Sequence, residues 1–182
     1  MGEKPTPDGL LVVQELINTL DVETREDSLS TRDGLAELTR RHQLRLSPDD
    51  VPQVRRLREQ LRAVCRAHVG AELPPADAAE LNGWLAAAPL VLRVEATGAA
   101  ALHPAPGLAP FPALVARIAV AIAAGEADGT WQRLKACASE SCQWAYYDHS
   151  PAGRRRWCSM QACGTREKMR TYRARRDRSA TA

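Results

Sequence analysis

A chain of 182 residues, 45% hydrophobic and 26% charged, carries enough apolar side chain for one ordinary domain with a small appendage, which excludes wholesale disorder. Its net charge of +3 hides a division: residues 1–130 hold 13 Lys and Arg against 18 Asp and Glu, a balance of −5, whereas residues 131–182 hold 12 against 4, a balance of +8. Four of the five cysteines lie in the basic part. Met1 to Leu20 contains no basic segment followed by a long apolar run, and the longest apolar region, Ala113 to Ala124, is interrupted by Arg117. Neither a secretory leader nor a membrane span is expected, and the cytoplasm is the expected location. In a reducing compartment, clustered cysteines read as metal ligands rather than disulfides.

Leu10, Val13, Ile17 and Leu20 recur at helical spacing and predict a helix over 8–20. A second is expected from Ser30 to His42, with Ser30 as its cap and Asp33 three residues on. Ser47-Pro48-Asp49-Asp50 joins a cap, a first-turn proline and two carboxylates that suit a helix dipole. The helix it opens carries Val51, Val54, Leu57, Leu61, Val64 and Cys65 on one side and ends before Pro74-Pro75; Cys65 reads as a core residue. Ala76 to Ala87 predicts a fourth helix burying Leu81, Trp84 and Leu85. Leu90 to Glu95 then alternates, Thr97-Gly98 offers a turn, and Ala99 to His103 returns as a partner strand. Such a hairpin is marginal alone and must pack on the helices. Four prolines between Pro104 and Pro112 mark a loop. Leu114, Ile118 and Ile122 define a further helix closed by Gly125, and Trp131 to Ala136 reads as a short helix leading into the cysteines. The expected fold is mainly α with a small β-hairpin. A helical amino-terminal domain over 1–130, for ligand sensing or dimerisation, is followed over 131–182 by a zinc finger of paired cysteines with a basic carboxyl-terminal helix.

Cys137 and Cys142 are separated by four residues, as are Cys158 and Cys163, with fifteen residues between the pairs. Two equal short loops joined by a medium one suit a tetrahedral site for one structural Zn²⁺, each loop turning back so that two thiolates meet the ion. Four thiolates fill every position, so the site is closed and polarises no substrate. His149, midway along the long loop, is left out of the ligand set. Residues 137–163 are too few to fold by burial alone, and metal supplies the difference, with Trp144, Tyr146 and Trp157 as a small aromatic core. Asp148 and Ser150 suit a turn, and Asp148 has the alternative of holding an arginine at 154–156.

Around the cysteines lie Arg154, Arg155, Arg156, Arg166, Lys168, Arg170, Arg173, Arg175, Arg176 and Arg178. From Thr165 onward the chain has no glycine or proline and reads as a helix starting beside the last cysteine pair. Met169 and Tyr172, three apart, are expected to pack back on the finger. A metal-anchored helix with this many cations suits a phosphate backbone, so the cations from Arg154 to Arg176 are the candidate nucleic-acid contacts, with DNA as the expected partner. A basic finger gripping an acidic protein or RNA is the alternative.

The segment from Cys137 to Lys168, with Trp144, Asp148, Ser150, Arg155-Arg156-Trp157-Cys158 and Cys163-Gly164-Thr165-Arg166 in place, closely resembles the CGNR zinc finger. Leu16-Ile17-Asn18-Thr19-Leu20-Asp21 resembles the amino-terminal signature of the ABATE domain, which forms the body of that family. The resemblance implies a bacterial transcription regulator with the finger at its carboxyl end. Thr165 stands where the family has asparagine, and threonine can serve as the cap of the basic helix. Asn18 and Trp84 are the candidate residues for a small-molecule ligand of the body, and a homodimer is open. No nucleophile elbow, phosphate loop or open metal site occurs, and His42, His68 and His103 are scattered, two of them near charged helix ends where solvated histidines are common. The chain is therefore not expected to be an enzyme.

Overall fold

The computed structural model describes residues 5–180, with the side chains of Thr171, Ala174, Arg175 and residues 177–180 outside the description. Helix α1 (Asp8–Ile17) buries Leu10, Val12, Val13, Leu16 and Ile17, too much of its circumference for a surface helix, and it lies at the centre. It packs against α3 (Val51–Ala67) and α5 (Pro110–Asp128). α2 (Arg32–Arg41) and α4 (Pro75–Ala86) complete the body. α5 runs through Arg117 without a break and, by length and composition, is apolar enough to cross a membrane, a property the interrupted apolar run did not predict. Phe111, Leu114, Val115, Ala116, Ile118 and Ala121 are nevertheless buried in the body, and Arg117 donates to the carbonyl of His42. α5 is the long helix of the core.

Several boundaries differ from the sequence reading for local reasons. Ser30 belongs to a 3₁₀ turn (Ser28–Ser30) that Asp27 caps, so the cap of α2 is Thr31, whose hydroxyl accepts from the Gly34 amide at 3.1 Å. Ser47 and Asp50 form the expected capping box, but around one 3₁₀ turn before α3 begins. Gly125 does not close α5. It lies inside the helix, where a β-carbon would come within 3.2 Å of Trp131, and the left-handed residue ending the helix is Gly129, at φ 74°.

β1 (Leu90–Val94) and β2 (Ala100–Pro104) form the expected antiparallel hairpin, with Leu92 opposite Leu102, and β2 rests on α5. The predicted helix at Trp131–Ala136 is instead a 3₁₀ turn, Trp131–Arg133, followed by strand β3 (Leu134–Ala136), paired antiparallel with β4 (Ala145–Tyr147). All three β3 residues are buried. Leu134 and Ala136 join the core of α1 and α3, while Lys135 points away toward the long loop of the finger. A strand serves here because its alternation sends apolar and polar side chains to opposite covered faces.

α3 also carries a charged stripe that its apolar face concealed. Arg55, Arg58, Arg62 and Arg66 recur at helical spacing, and Arg58 and Arg62 are buried. Arg58 donates to Asp27 at 2.8 Å and to Thr19 at 3.2 Å. Arg62 donates to the carbonyls of Ile17 at 2.8 Å and Gln143 at 2.9 Å, and to Glu59 at 3.0 Å. Arg66 pairs with Glu140. The stripe thus satisfies the last carbonyl of α1 and ends on the first cysteine loop. Arg62→Met should cost about 3 kcal/mol, because buried carbonyls lose their donor. Urea denaturation of the zinc-loaded protein measures this, with Arg40→Met, which breaks only an exposed pair with Glu37, leaving the midpoint unchanged.

Candidate metal centre and basic face

Cys137 follows β3 directly, and its amide donates to the Trp144 carbonyl at 2.9 Å. The loop between them is closed by the amides of Cys142 and Gln143, which donate to the Ser139 carbonyl at 3.0 and 3.1 Å. Gln143 takes a left-handed conformation, φ 52°, to send the chain back into β4. Of the second pair, Cys163 sits on a single π-helical turn, Met160–Gly164, capped by the Ser159 hydroxyl, and Cys158 immediately precedes that cap. The Ala138 amide donates to the Arg156 carbonyl at 2.8 Å and ties the two loops together.

These loops bring the sulfurs of Cys137, Cys142, Cys158 and Cys163 within 4.8 Å of one another. Cys158 lies 3.7 Å from both Cys142 and Cys163. A tetrahedron with Zn–S bonds of about 2.3 Å has edges of about 3.8 Å, whereas a disulfide requires about 2.05 Å. The donor set therefore fits one structural Zn²⁺, held by these four thiolates as the sequence predicts. Hydrogen bonds from Cys142 and Cys158 hold the Cys137 thiol well below its usual range. The same contacts with Cys137 push Cys142 and Cys158 up. A dication removes this conflict by stabilising all four thiolates together. His149 stands apart, its ring 4.7 Å from that of Tyr147. Cys65 is wholly buried in the body, and burial pushes its thiol up to about 12, the state of an inert core residue.

The long loop is organised by a buried ion pair that sequence reasoning half anticipated. Asp148 is fully buried and accepts from Lys135 at 2.8 Å, from the amide and hydroxyl of Ser150 at 3.0 and 2.6 Å, and from the Arg155 amide at 2.9 Å. Asp148 thus serves the turn and holds the backbone of Arg155. Lys135 also donates to the carbonyls of Gly153 at 2.6 Å and Arg155 at 3.2 Å. Burial works to raise the Asp148 pKa, but the hydrogen bonds from Lys135, Ser150 and Arg155 outweigh it and hold the carboxyl well below its usual range. Lys135 went unnoticed in the sequence; its pairing appears only once β3 is recognised as a strand. Tyr146 is buried and Trp157 packs on the cysteines, whereas Trp144 is 39% exposed and stands outside this small core.

The candidate cations divide by environment. Arg154, Arg156, Lys168, Arg170, Arg173 and Arg176 are exposed, and α6 (Thr165–Ala180) carries the last four. The side chain of Arg175 lies outside the described residues, as does that of Arg178. Arg155 is half-buried, lies 5.4 Å from the Tyr146 ring centre and donates to the Cys158 carbonyl at 2.7 Å. Arg170 pairs with Glu167 at 2.8 Å. Arg166 donates to the Cys163 sulfur at 3.4 Å and to Glu23 of the body at 2.6 and 3.2 Å. Met169 and Tyr172 do not pack back on the finger: they are 48% and 62% exposed, on a helix that projects from the metal site. Thr165 is the first residue of α6 rather than its cap, and its hydroxyl donates to the Met160 carbonyl at 3.1 Å.

Asn18 and Trp84 do not converge on one cavity. The Asn18 carboxamide accepts from the Ala145 amide at 2.7 Å and donates to the Ala145 carbonyl at 2.9 Å, docking β4 against the end of α1. A cavity of about 420 Å³ opens beside it, lined by Glu15, Glu37, Leu38, Arg41 and Trp144 but not by Trp84. Trp84 packs edge-on against Phe111, with ring centres 5.5 Å apart. His42 and His68 are not solvated: His42 is buried against Glu15 at 2.7 Å, and His68 lies 2.7 Å from the Leu134 carbonyl and edge-on to Trp131.

Comparison with protein-family models gives two matches. Residues 133–176 match the CGNR zinc finger, and residues 11–126 match the ABATE model, described as "Putative stress-induced transcription regulator". No curated protein matches the chain.

Cys158→Ser should lose the bound zinc and the structure of 137–163 while the body stays helical, read by metal analysis and circular dichroism. Asp148→Asn should destabilise the zinc-loaded protein by about 2–4 kcal/mol, because Lys135 keeps a buried charge without its counter-ion. The folded-state pKa of Asp148 lies below the unfolded value, so its contribution is present above about pH 4 and declines as pH falls toward the folded value. Stability measured by denaturant between pH 7 and 3 should accordingly fall less steeply in Asp148→Asn than in the wild type.

Proposed function

Because the chain belongs to the ABATE family and ends in a CGNR zinc finger, we propose that it is a cytoplasmic transcription regulator that binds DNA through the finger. One observation carries this reading: a helix that begins at the zinc-site cysteines presents exposed Lys168, Arg170, Arg173 and Arg176, with exposed Arg154 and Arg156 on the preceding loop. Each cation that meets a phosphate releases a counter-ion, and a helix fixed by metal at one end holds its cations in place before contact. The closed Cys₄ site leaves no position for a reacting water, so zinc serves architecture here and binding, not catalysis, is the activity. A ligand of the body would enter by the cavity beside Asn18.

Arg166 is held differently. Glu23 occupies its guanidinium as a phosphate oxygen would, so the body and nucleic acid compete for it.

Binding to random-sequence duplexes should be strong at low salt. If five cations meet phosphates, log K should fall against log salt with a slope of about −4 to −5. Glu23→Gln should tighten binding and steepen that slope by about one, because Arg166 then becomes available to a phosphate. Titration followed by fluorescence anisotropy reads both quantities. Absence of binding at low salt overturns the proposal. Preference for single-stranded RNA or an acidic polypeptide over duplex of equal charge would favour the alternative, to which the exposed Tyr172 offers a stacking surface.

A further inference from the structure

The four zinc ligands are not equally sheltered. Cys137 is wholly buried and Cys163 nearly so, whereas Cys142 and Cys158 are partly exposed. The division follows from the backbone. Cys137 leaves the end of β3, a strand whose residues are all covered, and Cys163 lies inside the π-helical turn beside buried Gly164. Cys142 stands in the turn after Ser139, and Cys158 just before the Ser159 cap.

The two partly exposed sulfurs are neighbours, 3.7 Å apart, although they come from different pairs. Cys158 also forms part of the wall of a cavity of about 400 Å³, which Thr6, Gln14, Trp144, Tyr147 and His149 line as well. Thr6, Gln14 and His149 give that wall hydrogen-bonding groups, which suit a small polar molecule. Cys163 also lies 3.7 Å from Cys158. It is sheltered, however, and Arg166 donates to its sulfur at 3.4 Å, which stabilises that thiolate where it lies.

We propose that Cys142 and Cys158 are a redox modification site: a hydroperoxide oxidises them to a disulfide that joins the two cysteine loops, and a small thiol reverses it. Oxidation follows thiolate character and access, and zinc holds all four sulfurs as thiolates, so exposure selects among them. The Cys158 thiolate attacks one oxygen of the peroxide and the O–O bond breaks. The other oxygen takes a proton and leaves as an alcohol, or as water when the oxidant is hydrogen peroxide. Cys158 is then a sulfenic acid. The Cys142 thiolate attacks its sulfur, the S–O bond breaks, and the departing hydroxide is protonated to water. In sum, two thiolates, one hydrogen peroxide and two protons give one disulfide and two waters, and the sulfurs lose the two electrons that the peroxide gains. Cys137 and Cys163 alone are too few for a site built from four thiolates, so the metal is released. α6 begins at Thr165, close behind Cys163, and thereby loses its fixed end. The proposal rests on the zinc site and stands apart from the nucleic-acid reading.

The zinc-loaded full chain, treated with about one equivalent of hydrogen peroxide and quenched with catalase, tests it. A colorimetric indicator should report loss of the metal relative to an untreated sample. Dithiothreitol added with zinc should restore both the metal and the circular dichroism of the untreated protein. Free thiols are blocked under denaturing conditions with one alkylating reagent, and thiols freed by reduction are labelled with a second. Peptide mass spectrometry should then find the first label on Cys65, Cys137 and Cys163 and the second on Cys142 and Cys158. Zinc retained in about 10-fold excess of peroxide, the second label on any other pair, or cysteines carried to sulfinic acid that dithiothreitol does not reverse would each overturn the proposal.

Discussion

Four thiolates gathered within 4.8 Å of one another require a cation among them, and that requirement organises everything from β3 to the start of α6. The two cysteine loops have little apolar surface of their own, and the buried cluster around them is confined to Cys137, Tyr146 and Cys163. A metal replaces the missing core. Yet the finger is not simply attached to the body. Leu134, Ala136 and Ala145 belong to the same buried cluster as α1, α3 and α5, so the strand that delivers Cys137 is itself a core element. Metal site and body core share a boundary one residue wide.

Buried cations hold the irregular backbone on both sides of that boundary. Arg62 collects the carbonyls of Ile17 and Gln143, and Lys135 those of Gly153 and Arg155. Ile17 ends α1 and the other three residues lie in loops, so these carbonyls lack regular partners, and a long side chain with several donors serves them instead. Each cation has a carboxylate, Asp148 for Lys135 and Glu59, shared with Arg58, for Arg62, which makes its burial tolerable. Asn18 does comparable work without charge, replacing a missing strand at Ala145 with its own amide. Asn18 thus docks the finger on the body, and Arg166 with Glu23 adds a contact at the surface.

Much of this was legible in the sequence. Cysteine spacing announces the metal site because zinc demands a fixed number of thiolates close together, and short loops are the direct way to supply them. The hairpin was legible from alternation and a Thr-Gly turn. Failures occurred where a segment's neighbours outweighed its own pattern. Trp131 to Ala136 looks helical, but its two faces meet different surroundings, and only a strand separates them. Gly125 looks like a helix end, yet it is a contact point for Trp131, and Gly129 four residues later ends the helix. The burial of Arg58 and Arg62 has no local sequence signal, because it depends on the end of α1 packing against them.

The sequence by itself determined the residues that hold zinc, the charge division between body and tail, and the order of most elements. All of these follow from local spacing or from counting. Tertiary structure alone decided which charges are buried and which face water. Arg58, Arg62 and Lys135 became interior supports, Arg166 was drawn to Glu23, and Lys168, Arg173 and Arg176 remained exposed. The reason is physical. A cation's role depends on which carbonyls and carboxylates lie within about 3 Å of it, and residues 39 or 81 positions apart, as in Arg58–Thr19 and Arg62–Gln143, become neighbours only when the whole chain has packed.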